Sequence, residues 1–555
     1  MNRPLRLSLL ALLVFVPFAQ AADLLVSNVN GYTLDSSGKL QHFQALLVDE
    51  GKIVTTGRTA DLLKRAGEAT VIDGHGQTLL PGLIDAHGHV LSLGFARNSV
   101  DLSATQSLDE ALAKVKAYAD AHPDAKWILG RGWNQEIWKL GRFPTAQELD
   151  QAVPDRPVWL SRVDGHAAWA NSAAIKLAGV TKASKDPSGG RIERDGAGNP
   201  AGVFVDGAID LVDAHVPPPT ERDRVAALDT ALAEMARVGL TGVSDAGIDV
   251  DSYRLFRHYA DHNKLTARIY AMIRDTGDAF DTISQDGPLI GYGNDFLTVR
   301  SVKLYADGAL GSRGAAMLQP YSDDPHNSGL LFMSPARLTA KLEKAFAKGY
   351  QVGVHAIGDR ANREVLDSFA AAYKTHPDAI ALRNRVEHAQ IVSLQDIPRF
   401  ATLHLIASMQ PTHATSDMNM AEDRVGHERI QGAYAWQRFL KQGTIIAAGS
   451  DFPVESPNPF YGLYSAVTRQ DHQGQPPGGW YPQQDLSMVQ ALRAFTLDAA
   501  YAEHAEKTLG TLEPGKWADF ILIDHDVIKD PSSKIWNTRV LQTWVGGKQV
   551  YAAKD

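Results

Sequence analysis

From about residue 81 to residue 507 the sequence alternates between two periods, and this alternation narrows the folds open to it. Stretches at 224–238, 335–348 and 360–373 repeat apolar residues at intervals of three and four, which lines them up on one side of a helix. Short apolar runs of strand length lie at 240–246, 267–273, 298–305, 351–356, 385–390, 405–410 and 444–451. An eighth run opens the series: Leu83-Ile84-Asp85-Ala86-His87, entered sharply through Pro81-Gly82. Eight strands alternating with helices predict an α/β chain folded as a (β/α)8 TIM-like barrel, whose chemistry sits at the C-terminal ends of the strands.

A plain barrel takes about 250 residues, and the excess here falls mainly at 93–216, after the first strand. That segment holds Gly and Pro turns and five tryptophans, Trp127, Trp133, Trp138, Trp159 and Trp169. Its position predicts an inserted cap that shapes the substrate pocket; a satellite unit with its own tryptophan core is the alternative. The chain ends read differently from the middle. Segments 22–80 and 508–555 hold short strand-like pieces, with Glu50-Gly51 and Gly546-Gly547 as hairpin turns. They predict one small composite β-sandwich built from both ends of the chain.

Arg3 and Arg6, then an apolar run to Phe18, then Ala19-Gln20-Ala21, give the three regions of a secretory signal peptide over residues 1–21. The run is shorter than the about 20 apolar residues that span a membrane. Cleavage and export, most naturally to a bacterial periplasm, are expected, with no membrane anchor left behind. The formal charge of the whole chain is −9, and losing Arg3 and Arg6 makes it more acidic still. This argues against nucleic acid or an anionic membrane as partner and leaves a small-molecule substrate, with homo-oligomer formation open. There are 0 cysteines, so disulfides, thiolate ligands and a Cys nucleophile are all excluded. Any metal must be held by His and carboxylate.

The strand ends carry such residues. His87 and His89, spaced i, i+2, point to one face of an extended strand. Lys303 lies inside the apolar fourth strand; His355, His388 and Asp451 end the fifth, sixth and eighth. Each has an ordinary alternative: a core histidine, a capping aspartate, a lysine reaching for solvent. Their arrival at the same end of one barrel favours a shared metal centre. Weaker candidates are Arg162, Asp164 and His166 in the insertion, as substrate contacts or a structural turn. Arg313, after strand four, suits a substrate carboxylate or an internal ion pair. Gln410 and His413 end strand seven and border the pocket in this reading.

The blocks Pro81-Gly82-Leu83-Ile84-Asp85 running into His87-Gly88-His89, Arg162-Val163-Asp164-Gly165-His166, Asp307 to Arg313, and His355-Ala356-Ile357-Gly358-Asp359 resemble the amidohydrolase superfamily. Within it they look most like the amidohydrolase family 3 branch that includes N-substituted formamide deformylases. The resemblance covers nearly the whole mature chain. It implies that His87, His89 and Asp451 hold one divalent metal, usually zinc, and that His355 and His388 hold a second. Lys303 would then bridge the two as a carbamate formed with CO2; unmodified, it implies a single ion. The chemistry implied is attack of a metal-activated hydroxide on a carbonyl carbon, with Asp451 taking a proton and returning it to the leaving nitrogen. There is no G-x-S-x-G and no phosphate loop. The expected function is hydrolysis of a non-peptide C–N bond in a small N-acyl or N-formyl compound. The alternatives are a lactonase or other ester hydrolase on the same metals, a mononuclear deaminase, and a metal-free binding protein.

Overall fold

In the computed structural model, which describes residues 22–187 and 189–554, the strand-like runs of the middle segment form one parallel sheet. The signal peptide read at 1–21 lies outside the described residues. The barrel strands are β1 (Leu83–Gly88), β2 (Leu240–Ile248), β3 (Arg268–Arg274), β4 (Leu297–Tyr305), β5 (Gln351–Ala356), β6 (Arg385–His388), β7 (Ile406–Met409) and β8 (Ile446–Ala448). Each is hydrogen-bonded in parallel to the next in sequence order. Amphipathic helices cover the outside. Glu221–Arg237 turns Leu228, Ala231, Leu232 and Met235 inward, and Pro335–Phe346 turns Leu338, Leu342 and Ala345. Full burial of one such leucine is worth about 1.5–3 kcal/mol. Both helices start on side-chain caps, Thr220 with Asp223 and Ser334 on the Arg337 N–H.

Among the described residues no ladder joins β8 to β1, so the barrel is nearly but not fully closed. The seam is held at its C-terminal end. The Asp451 N–H donates to His87 O at 2.6 Å, the His89 N–H donates to Phe452 O at 2.8 Å, and Gly88 bridges Phe452. Gly88 is required there: a Cβ would lie 2.6 Å from the Phe452 ring.

Two strands stop earlier than their apolar runs suggest. The sixth ends at His388 because His388 and Ala389 take φ of 72° and 42°; the eighth is three residues long, and Asp451 beyond it sits at φ 60°. Positive φ costs a non-glycine residue about 1–3 kcal/mol and clusters at functional positions. Here it swings two side chains out of strand geometry toward the barrel mouth.

Both chain ends enter one six-stranded sheet, in the order Lys548–Ala552, Val540–Val545, Phe520–Ile523, Thr78–Pro81, Asn30–Leu34, Leu40–Phe43. A four-stranded sheet runs Lys52–Gly57, Ala45–Asp49, Leu24–Ser27, Thr70–Asp73. Val26, Leu46 and Val48 from the smaller sheet share an apolar cluster with Leu79, Phe520, Leu522 and Trp544 from the larger. Glu50-Gly51 and Gly546-Gly547 have positive φ at both residues, as two-residue hairpins require.

The segment after β1 carries its own six-stranded sheet and two apolar clusters. Trp133 and Trp138 pack edge-on to Trp169, and Trp159 packs edge-on to Phe204. The segment is tied to the barrel by Arg131, whose guanidinium donates to Pro453 O, just past Asp451, and to Val163 O at 3.0 Å. Among the described residues no helix is long and apolar enough to cross a membrane.

Candidate metal centre

The seam hydrogen bonds place His87 and His89 beside Asp451. His89 Nε2 is 3.1 Å and His87 Nε2 3.6 Å from Asp451 Oδ1. From β4, Lys303 Nζ reaches to 3.0 Å of His87 Nε2. The His388 ring lies 4.8 Å from that of His87 and 4.5 Å from that of His355, centroid to centroid. The structure therefore brings His87, His89, Lys303, His355, His388 and Asp451 to one point at the C-terminal end of the barrel.

These side chains fit a cation. His87, His89 and Asp451 offer donor atoms within 4.8 Å of one another, and so do His388, His413 and Asp451. His355 Nε2, His413 Nε2 and Asp451 Oδ1 are buried without a hydrogen-bond partner. A buried polar atom left unpaired costs about 1–3 kcal/mol; His413 and Asp451 share one of these donor sets, and the His355 ring lies beside the His388 member of it. Imidazole and carboxylate donors suit a divalent first-row metal such as zinc.

Charge in the site is arranged to keep those lone pairs free. Burial, helped by the Lys303 charge, pulls His87 down to about 4. Burial likewise holds His355 and His388 well below the ordinary histidine value. Burial pushes the Asp451 carboxyl up, but His89, His87 and His388 outweigh it and keep the carboxylate ionised well below its usual range. Burial brings Lys303 down to about 8, so a larger fraction is the neutral amine that can react with CO2.

A second ring of residues fixes the orientation of the first. His87 Nδ1 donates to Glu387 Oε2 at 2.5 Å, which leaves Nε2 as the lone pair aimed at the site. Arg385 holds Glu387 through two bonds of 2.7 and 3.0 Å and also donates to Ser244, Ser408 and Ala86 O. Burial opposes ionisation of Glu387, but Arg385 and His87 overcome it and hold its carboxyl well below the usual range. Asp85 accepts the His87 N–H and both the N–H and hydroxyl of Ser450, pinning β1 to the loop that carries Asp451. Asp307 accepts N–H bonds from Ala316, Ile357 and Gly358 and stands 3.5 Å from His355 Nε2. Glu387, Arg385, Asp85, Ser450 and Asp307 were not singled out from the sequence. The signal was there for one pair: Arg385 and Glu387 are two charges on the same face of a short strand that is buried throughout.

The expected substrate residues divide. Gln410 is buried and its Oε1 accepts from His388 Nδ1 at 2.8 Å, so it positions that ring. Arg313 is engaged by Asp323 at 2.9 and 3.2 Å, and Arg424 contacts the same carboxylate, which is the internal ion pair of the two sequence readings. Arg162 bonds Asp164 and Gln135 within the insertion, as a structural turn requires. His166 pairs with Asp206 at 2.9 Å and is close enough to His355 and Asp307 for their charges to act on one another. Asp164 accepts the His166 N–H at 3.1 Å.

Comparison with known proteins agrees with this geometry. A family model described as the amidohydrolase family matches residues 70–551. The protein LONG AFTER FAR-RED 3 of Arabidopsis thaliana is 36% identical over 96% of this chain and 92% of its own length. An N-substituted formamide deformylase of Arthrobacter pascens is 28% identical over 95% of this chain and 98% of its own. A solved structure described as an uncharacterized metal-dependent hydrolase from Pyrococcus horikoshii superposes with a TM-score of 0.75. It is 27% identical and covers 92% of this chain and 99% of that one. With a family match running from the first small sheet through the barrel to the last strand, this chain belongs to the amidohydrolase family of metal-dependent hydrolases.

Proposed function

We propose that the protein hydrolyses a non-peptide C–N bond in a small N-acyl or N-formyl compound, at a metal centre held by His87, His89, Lys303, His355, His388 and Asp451. The observation that carries this reading is the set of orphaned donor atoms converging beside a buried lysine. The substrate class is drawn from the relative named as an N-substituted formamide deformylase. A divalent cation, zinc in this reading, supplies Lewis acidity that acidifies water and polarises a carbonyl. The rest is done by the chain. Ionised Asp451 accepts the proton of the attacking water and returns it to the leaving nitrogen, which departs as a neutral amine. Glu387 keeps His87 in one tautomer. Lys303 as a neutral amine would add to the carbon of CO2 and lose a proton, giving an anionic carbamate that would add oxygen donors to the set holding the metal.

The same reading assigns the two-ended β-sheets to a composite sandwich (22–80 and 508–555) and the insertion at 93–216 to a cap, supported by the Arg131 tie beside Asp451. It also takes residues 1–21 as a leader to the periplasm. The test is a panel of N-formyl and N-acetyl amines with ester and lactone controls, run on metal-loaded and chelator-stripped protein. Metal-dependent amine release is expected. Turnover of lactones or esters with no amide cleaved would sink the C–N assignment. A carbamate carbon signal after labelling with 13CO2 checks Lys303.

A further inference from the structure

His413 counts among the buried donors of the site but has no part yet in the reaction. It lies on the first turn of the helix Pro411–Asp417, which follows directly on β7 and opens with a proline at its first position. That turn carries the imidazole to the barrel mouth, where its Nε2 is buried without a partner among the described residues. The ring is nearly parallel to that of His388, at 21° and 6.0 Å. This is further out than the 4.5 and 4.8 Å that separate His388 from His355 and His87.

The two oxygens of Asp451 face different neighbours. Oδ1 is turned to His89 and His87, while Oδ2 faces His413 Nε2 across 3.8 Å. That separation is too long for a hydrogen bond. It is van der Waals contact with no room for an atom between the two, so the imidazole stays unpaired beside the carboxylate. We infer that a substrate carbonyl oxygen comes to lie next to this pair at the barrel mouth, and that the His413 Nε2–H donates to it as it gains negative charge. Carbonyl addition is accelerated by such a donor beside a Lewis acid: the C=O π pair moves onto oxygen as the new C–O bond forms, and it returns when the C–N or C–O bond breaks. A buried, preorganised donor acts strongly on a charge that develops only in the transition state. His413 is on this account a catalytic residue and not a further ligand.

The inference rests on hydrolysis at this centre but not on the C–N reading. His413→Ala and His413→Gln are therefore compared on whichever amide or ester the wild type turns over. Loss of one oxyanion donor lowers kcat by about 10²–10³, and KM should change little. Glutamine carries an N–H close to the Nε2 position and should regain at least about tenfold. Two further measurements do not depend on turnover. Metal bound per chain should equal that of the wild type. Calorimetric affinity for an N-benzyl methylphosphonamidate, a tetrahedral mimic, should fall by the same factor as kcat. Variants that melt with the wild type are compared. Loss of bound metal in His413→Ala would make His413 a ligand through the His388–His413–Asp451 set and overturn the inference. So would an unchanged kcat and mimic affinity, or a glutamine variant no better than alanine.

Discussion

Replacing Glu387 with glutamine should weaken the fold and the metal site together. In the native protein Glu387 is fully buried, 2.5 Å from His87 Nδ1, and doubly bonded to an Arg385 that is itself fully buried. Glutamine keeps the shape but removes the charge, leaving the guanidinium with neutral acceptors on Ser244, Ser408 and Ala86. Breaking a buried pair by neutralising one partner costs about 3–5 kcal/mol; the surviving neutral acceptors put this case near about 3. With a urea slope of about 3 kcal/mol/M or more for a chain of this size, the unfolding midpoint should fall by up to about 1 M. The amide can also present its NH2 to His87 Nδ1, which frees the ring to adopt the other tautomer. Metal affinity should drop about 10–100-fold, as it does when an outer partner of a ligating histidine is lost. Tryptophan fluorescence in urea on metal-free protein reads the first effect, and competition with a chelating dye reads the second. If both the midpoint and the metal affinity are unchanged, His87 is held by something other than Glu387 and the reasoning is wrong.

Three more outcomes follow from the same geometry. Asp451→Asn should lower kcat by about 10²–10⁴ with metal retained, and asparagine tolerates the φ of 60° there; Lys303→Ala should instead lose metal first, so metal analysis beside kinetics separates the two. Truncation after Gly510 removes Phe520–Ile523, Val540–Val545 and Lys548–Ala552 together, leaves Thr78–Pro81 without its antiparallel partner and should yield insoluble protein; a soluble, active truncation would contradict the shared core. Glu503, buried against Ser244, has its carboxyl raised to about 7 by desolvation, so the folded state binds a proton that the unfolded state has already released. Its contribution to stability is thus full below about 4.5 and lost as pH rises to about 7. Glu503→Gln, which mimics the protonated form, should flatten the decline in urea midpoint over that interval; a slope equal to that of the wild type would count against it.

The barrel was legible because its strands are apolar throughout and its helices keep a period of three to four over many residues. The candidate cluster was legible because each member is a polar group within or at the end of an apolar run, as Lys303 and Asp451 show. Strand ends were less so. Runs at 385–390 and 444–451 look continuous, and nothing local announces that His388 and Asp451 leave the extended region. That departure is imposed by the seam and by Asp85 grasping Ser450, contacts between residues more than 300 positions apart. The roles of Gln410 and Arg313 stay open in the sequence for a related reason. A polar side chain near a mouth can serve substrate or scaffold, and only its partner, His388 or Asp323, tells which.

The open seam between β1 and β8 has a consequence for how this molecule is assembled. The two strands belong to opposite ends of the barrel segment, and the backbone bonds joining them all lie within the span from His87 to Phe452. A cation on His87, His89 and Asp451 would act as a rivet across the last gap to close. Loop-closure entropy makes so distant a junction late to form, so ion capture and ring closure would be one event. Stripping the ion would then be felt first as fraying of β8, which is three residues long, while the rest of the ring kept its hydrogen bonds. Amide exchange along Ile446–Ala448, followed during chelation, would show the ring opening at one stave.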